Sequence, residues 1–185
     1  MCIRDRFELK ETVALVGMMG SGKSAIGKVI SSILDVPFND ADIEIEQAAK
    51  LSIPEIFERH GEKFFRDKED QVIKRLLKER PCVLATGGGA FVNTKIRTTI
   101  KQYGVSVWLN ADIETLWNRV KHKRSRPLLR TDNPRQTLTN IYIDRIETYS
   151  LADVTIESQG RSSIEEMANL VIKSLLDRND LIERA

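Results

Sequence analysis

Gly17-Met18-Met19-Gly20-Ser21-Gly22-Lys23-Ser24 satisfies the pattern G-x-x-x-x-G-K-[ST] at each fixed position. That pattern is built to bind a polyphosphate. Glycines let the backbone curl closely around a phosphate and aim successive N–H groups at the anion. A helix starting behind the loop adds the positive end of its dipole. Gly17, Gly20, Ser21, Gly22 and Ala25 would then frame the phosphates of a nucleotide. Lys23 would reach its β- and γ-phosphates, and the Ser24 hydroxyl would ligate Mg²⁺. The flanks agree: Thr12–Val16 reads as a short buried strand, and Ile26, Val29, Ile30 and Ile33 recur at helical spacing. The competing reading is a Gly-rich turn before an ordinary helix, and the flanking pattern argues against it.

Four further groups could do chemistry. Asp40-Ala41-Asp42 follows a second short strand, where two carboxylates on alternate residues of an extended segment would face one site. One acid would suit a Mg²⁺–nucleotide and the other an attacking hydroxyl, although Asp also caps helices well. Arg66 and Glu69 are three residues apart, a spacing that by itself makes only a helical surface pair. Gly87-Gly88-Gly89 ends a strand. Bare backbone there means either close approach of a substrate or a tight turn packed on the sheet. Lys121, Lys123, Arg124, Arg126 and Arg130, flanked by Arg119 and Arg135, concentrate positive charge in an aperiodic stretch. It reads as a mobile lid over a triphosphate, a solvated basic loop or a nucleic-acid contact. The last is weakened because no aromatics are interleaved.

The elements that must position these groups alternate along the chain. Strands are predicted at Thr12–Val16, Val36–Asp40, Cys82–Thr86, Val105–Leu109 and Val154–Ile156. Helices are predicted at about 25–34, 43–50, 62–79, 94–102, 113–120, 136–149 and 163–176, with a helix-start signature at Ser52-Ile53-Pro54-Glu55. Apolar rather than alternating strands, separated by helices, predict a three-layer α/β/α fold around a parallel sheet. With 185 residues this is expected to be one domain, with its core at about 12–176 and a lid at about 121–135. Residues before Thr12 and after Asp177 are expected to lie loose. Net charge is only +2, which speaks against a nucleic-acid surface. No apolar run approaches a membrane span, and Cys2 and Cys82 make no disulfide framework. The expectation is a cytoplasmic monomer with small-molecule ligands and no nucleic-acid or membrane partner. His60 and His122 are isolated and lack metal-ligand spacing.

The ordered set of motifs resembles the shikimate kinase family over about Thr12–Leu176. The set is the phosphate loop, Asp40-Ala41-Asp42, Phe65-Arg66-Asp67-Lys68-Glu69, Gly87-Gly88-Gly89, Arg126-Pro127-Leu128-Leu129, and Arg145 with Tyr149. The resemblance implies transfer of the γ-phosphoryl group of ATP to the 3-hydroxyl of shikimate, on the route to chorismate and the aromatic amino acids. It implies a nucleoside-monophosphate-kinase type of fold, with five parallel strands in the order 2-3-1-4-5. It implies that Asp42 orients the attacking hydroxyl, that Arg66 and Arg145 hold the shikimate carboxylate, and that Gly87, Gly88 and Gly89 border the substrate. Asp40 would act on Mg²⁺ beside Ser24, Arg126 would reach the phosphates from the lid, and Arg119 and Arg161 would border the adenine. Ala41 departs from the family's usual Ser or Thr, removing a hydroxyl but neither carboxylate. Two other readings are a related kinase for another hydroxy acid, such as gluconate, and a non-catalytic nucleotide-binding module. The second would be expected to have lost Lys23, Asp42 or Arg126.

Overall fold

The computed structural model describes residues 7–122, 126–158, 162–178 and 181–184. The chain opens with β1 (Phe7–Leu9) and β2 (Thr12–Val16), then α1 (Lys23–Leu34), β3 (Phe38–Asp40), α2 (Ala41–Ala49) and α3 (Ile53–Lys78). It continues through β4 (Val83–Ala85), α4 (Thr94–Tyr103), β5 (Gly104–Ala111), α5 (Ile113–Val120) and α6 (Pro134–Tyr149). It ends with β6 (Val154–Ser158), α7 (Ile164–Leu176) and β7 (Ile182–Arg184). The main sheet runs β3-β4-β2-β5-β6 with every neighbouring pair parallel. Counted within that sheet, this is the predicted order 2-3-1-4-5.

The two-residue period of a strand sorts the core into two layers. Val13 and Leu15 of β2 pack with Ile26, Ile30 and Leu34 of α1 and with Met167, Val171 and Leu175 of α7. Ala14 and Val16 face the other way, into a layer with Ile45 of α2, Ile56 and Ile73 of α3, Ile100 of α4, Leu116 of α5 and Leu138 of α6. Both faces are covered, so all five residues of β2 are buried, as a continuous apolar run requires.

The strand order also brings the motifs together. The phosphate loop follows β2, Asp40 and Asp42 follow β3, and Gly87-Gly88-Gly89 follows β4. These three strands are neighbours in the sheet. Parallel strands place all three motifs at one carboxyl edge, where ligands of such sheets bind.

The structure differs from the sequence reading in four places. The chain ends are not loose among the described residues: β1 pairs antiparallel with β7, and Lys10 N donates to Leu181 O at 3.0 Å. Leu9 and Leu181 are buried in the α1–α7 layer, which anchors strands too short to show a period. The helix predicted from residue 62 begins at Ile53, under a capping box formed by Ser52 and Glu55, and is interrupted only at Gly61. Asp42 does not lie on an extended segment; it sits in the first turn of α2, with Asp40 as the N-cap. The stretch 121–135 is not loop throughout, because Pro127–Leu129 forms a 3-10 turn that buries Leu129, and α6 already begins at Pro134. No helix among the described residues is long and apolar enough to cross a membrane.

Candidate active site

The phosphate loop owes its shape to glycine. Gly17, Gly20 and Gly22 have φ of 131°, 85° and 97°, a region that side chains with a Cβ avoid. Gly22 is the N-cap of α1, so the helix starts inside the motif at Lys23. Gly20, Gly22, Lys23, Ser24 and Ala25 line a cleft of about 440 Å³. Gly17 and Ser21 support it from behind. A Cβ on Gly17 would come 2.9 Å from Leu109 O and 3.1 Å from the Trp108 ring, and Ser21 is buried.

Lys23 is 8% exposed and donates to Gly17 O and Met18 O, each at 2.9 Å. Burial drives its pKa down to about 8, against the pull of Asp42 and Asp40. Ser24 Oγ donates to Asp40 Oδ2 at 2.6 Å. The other oxygen of Asp40 accepts from Asp42 N at 3.1 Å, so the capping and site readings of Asp40 hold in the same side chain. Asp42 is left uncommitted by comparison. Its charged contact is Arg126, with Nη1 3.7 Å from Asp42 Oδ2. Burial, and secondly Asp40, raise the Asp42 pKa above the ordinary carboxylate value.

The cleft extends past Arg119 to Ile164 and Met167. Arg119 Nη1 donates to Gly20 O at 3.2 Å, tying α5 to the phosphate loop. Arg161 lies outside the described residues.

Beside the cleft is a smaller pocket of about 60 Å³ lined by Asp42, Arg66, Glu69, Gly87, Gly88, Gly89, Arg126 and Arg145, under Ile53 and Phe57. Met19, Asp42, Gly88 and Arg126 line both cavities. The junction between them therefore carries an acid, a bare backbone and a guanidinium.

The bland reading of Arg66 is true as far as it goes. It donates to Glu62 Oε1 at 3.0 Å and to Glu69 Oε2 at 2.8 Å. These bonds aim the guanidinium into the pocket rather than along the surface. Glu69 is the site residue the sequence reading passed over: it is 1% exposed, and its Oε1 has no hydrogen-bond partner among the described residues. Burial raises its pKa although Arg66 works in the opposite direction. The available signal was its place on the buried stripe of α3, four residues after Phe65 and three before Val72.

The three glycines answer their open question residue by residue. A Cβ on Gly87 would collide with Glu69 Oε1 and come 3.1 Å from Asp42 Oδ1. On Gly88 it would lie 3.1 Å from Met19 N of the phosphate loop, and on Gly89 2.8 Å from the Arg66 guanidinium. The bare backbone makes room for the site's own side chains and lets two loops touch. Arg145 Nη1 donates to Gly88 O at 3.1 Å. All the predicted site residues within the described chain thus gather at one carboxyl edge of the sheet.

Comparison with known proteins agrees with this geometry. A family model described as shikimate kinase matches residues 19–176. A shikimate kinase of Ruegeria pomeroyi is 56% identical over 175 residues, covering 95% of this chain and 90% of that protein. The solved shikimate kinase of Acinetobacter baumannii in complex with shikimate superposes with a TM-score of 0.87 at 35% identity, covering 90% of this chain and 93% of the other. A gluconokinase of Sinorhizobium meliloti, at TM-score 0.52 and 15% identity over 92% and 99% of the two chains, shares the fold alone. With its ordered motifs, its strand order and a family match over most of its length, the chain belongs to the shikimate kinase family.

Proposed function

We propose that this chain transfers the γ-phosphoryl group of ATP to the 3-hydroxyl of shikimate, as its family membership implies, and that the two joined cavities divide the work. The single observation that carries the division is the junction, where Asp42, Gly88 and Arg126 border both the phosphate-lined cleft and the pocket holding Arg66 and Arg145. ATP takes the cleft with its phosphates on the loop. A small cyclic carboxylate takes the pocket, because two guanidiniums converging there suit a carboxylate.

Phosphoryl transfer leaves the protein mainly positioning and charge stabilisation to perform. In this reading Asp42 accepts a hydrogen bond from the attacking hydroxyl and orients it. Lys23 and Arg126 meet the negative charge of the moving group. Arg126 Nε is buried and has no hydrogen-bond partner among the described residues, so the guanidinium keeps a donor for a ligand. Arg119 packs at the base end of the nucleotide. Ser24 and Asp40 supply hard oxygen donors 2.6 Å apart, a donor set that fits Mg²⁺ held jointly with ATP phosphates. Among the described residues no group of three or more His, Cys, Asp or Glu is placed to hold a metal by itself. When bound, Mg²⁺ would neutralise phosphate charge.

The test is ATP turnover with shikimate, with gluconate and with no acceptor. Shikimate-dependent formation of a phosphate monoester is expected, with gluconate near the background. Equal turnover with gluconate, or none with shikimate, would overturn the assignment.

A finer prediction concerns Arg66. A lysine there could not bridge Glu62 and Glu69 while presenting a planar fork to a carboxylate. Arg66→Lys should raise the shikimate KM by at least about 10-fold and change the ATP KM by less than about 2-fold, as loss of a bidentate contact confined to one ligand would. A rise in ATP KM with shikimate KM unchanged would mean that Arg66 belongs to the other ligand.

A further inference from the structure

Tyr149 is the last residue of α6 and one of the largest fully buried side chains in the protein. Its ring stacks on Trp108 of β5, with centroids 5.9 Å apart and planes 25° apart. Its hydroxyl donates to Gly88 O and lies 3.8 Å from Met18 Sδ. Arg145, one helical turn earlier, donates to the same Gly88 oxygen at 3.1 Å. Two side chains of one helix thus clamp a single carbonyl of the glycine loop.

That carbonyl is a sensitive place to hold. The peptide plane is rigid, so fixing the Gly88 C=O also fixes the direction of the Gly89 N–H. Glycine backbone is otherwise the freest in the chain. Gly88 itself lies against Met19 N, and the Trp108 ring lies against Gly17. The Tyr149 ring and hydroxyl therefore touch, directly or through one neighbour, both ends of the phosphate loop's first half and the loop bordering the acceptor pocket.

We propose that Tyr149 is a positioning residue for the acceptor: with Arg145 it locks the Gly88–Gly89 peptide against the phosphate loop, and so sets where the acceptor hydroxyl stands relative to the γ-phosphoryl group. This rests on the reading of the smaller pocket as the acceptor site. With both donors committed to Gly88 O, that carbonyl is spoken for, which leaves the Gly89 N–H and the arginines to meet the acceptor. An in-line transfer tolerates little misplacement of the attacking oxygen. When the acceptor is poorly held, water competes for the phosphoryl group.

The test is Tyr149→Phe, which keeps the ring on Trp108 and leaves Gly88 O bonded to Arg145. The expected result is a rise of about 5- to 10-fold in shikimate KM, the size of effect a lost hydrogen bond gives, with ATP KM unchanged. Phosphorylated shikimate formed per ATP consumed should fall below the wild-type ratio. A purely structural hydroxyl would lower the melting temperature and leave both readouts alone, and that result would overturn the proposal. A spectroscopic measurement runs beside it, with Tyr149→Phe identifying which resonance is Tyr149. The chain has three tyrosines, so fluorotyrosine-labelled enzyme should give three resolvable ¹⁹F resonances. The Tyr149 resonance should shift on adding shikimate; a resonance that ignores shikimate would also overturn the proposal. If wild-type enzyme itself fails to phosphorylate shikimate, the acceptor assignment falls. If it succeeds while Tyr149→Phe matches it in KM and coupling, only the positioning role falls.

Discussion

Lys23→Ala is expected to fold and to lose at least about 100-fold in turnover, the cost of removing one electrostatic stabiliser from a phosphoryl-transfer transition state. Two observations sharpen this. Lys23 is buried at the floor of the cleft, where a charge acts through little water. It is also held by two carbonyls of its own loop, Gly17 O and Met18 O. The alanine variant loses these loop contacts but also sheds a charge whose burial costs stability, the reason its pKa is depressed, so its melting temperature should change little while the sheet stays intact. The depressed pKa of about 8 gives a second measurable consequence. In the free enzyme the ammonium begins to discharge near that pH, so kcat/KM for ATP should fall on the alkaline side. A bound triphosphate favours the charged form, so the same limb in kcat should lie at higher pH. Near-wild-type turnover in folded Lys23→Ala would remove Lys23 from the mechanism. An identical alkaline limb in both profiles would mean that the phosphates do not approach Lys23.

What was legible in the sequence was whatever depends on neighbours along the chain. The phosphate loop, its strand and its helix lie within 23 consecutive residues, Thr12–Leu34, and each signal is local. The capping box at Ser52 was equally local and is formed. The strand order and the gathering of Arg66 and Arg145 came through resemblance, because no spacing rule joins residues so far apart. Contacts across the fold were out of reach. Glu69 looked like half of a surface pair because Arg66 satisfies that spacing; its burial follows from the glycine loop packed against it. The reason for three consecutive glycines lies in Glu69, Met19 and Arg66, none of them adjacent in sequence. The pairing of β1 with β7 joins opposite ends of the chain through three residues each, too few to carry a period. Asp40 shows a subtler limit. In the sequence, helix cap and metal-site acid are rival readings of Asp40, but a carboxylate has two oxygens and Asp40 uses one for each task.

That division of labour singles out Asp42. Asp40 is tied on both oxygens, whereas among the described residues Asp42 makes just the longer ion pair with Arg126, and it faces the junction of the two cavities. Asp42→Asn keeps the volume and removes the charge that would accept the attacking hydroxyl's proton. The expected loss in kcat is about 100- to 10,000-fold, the range for general-base and orienting groups. ATP KM should change little, since the nucleotide's phosphates rest on the loop. The pH profile separates this role from a structural one. Burial and the neighbouring Asp40 raise the Asp42 pKa, so its carboxylate form, the active one, is lost at a higher pH than an ordinary aspartate would be as pH falls. The acidic limb of kcat/KM for shikimate should accordingly lie at higher pH than an unperturbed aspartate would give in the wild type, and should vanish from the residual activity of Asp42→Asn. Asp40→Asn makes the contrast, since its loss should appear chiefly as a higher Mg²⁺ requirement, with the acidic limb retained but moved to lower pH because Asp40 no longer raises the Asp42 pKa. An Asp42→Asn enzyme of normal turnover would leave Asp42 as no more than a partner for Arg126, and the orienting group would have to be sought in Glu69, the buried carboxylate of the acceptor pocket.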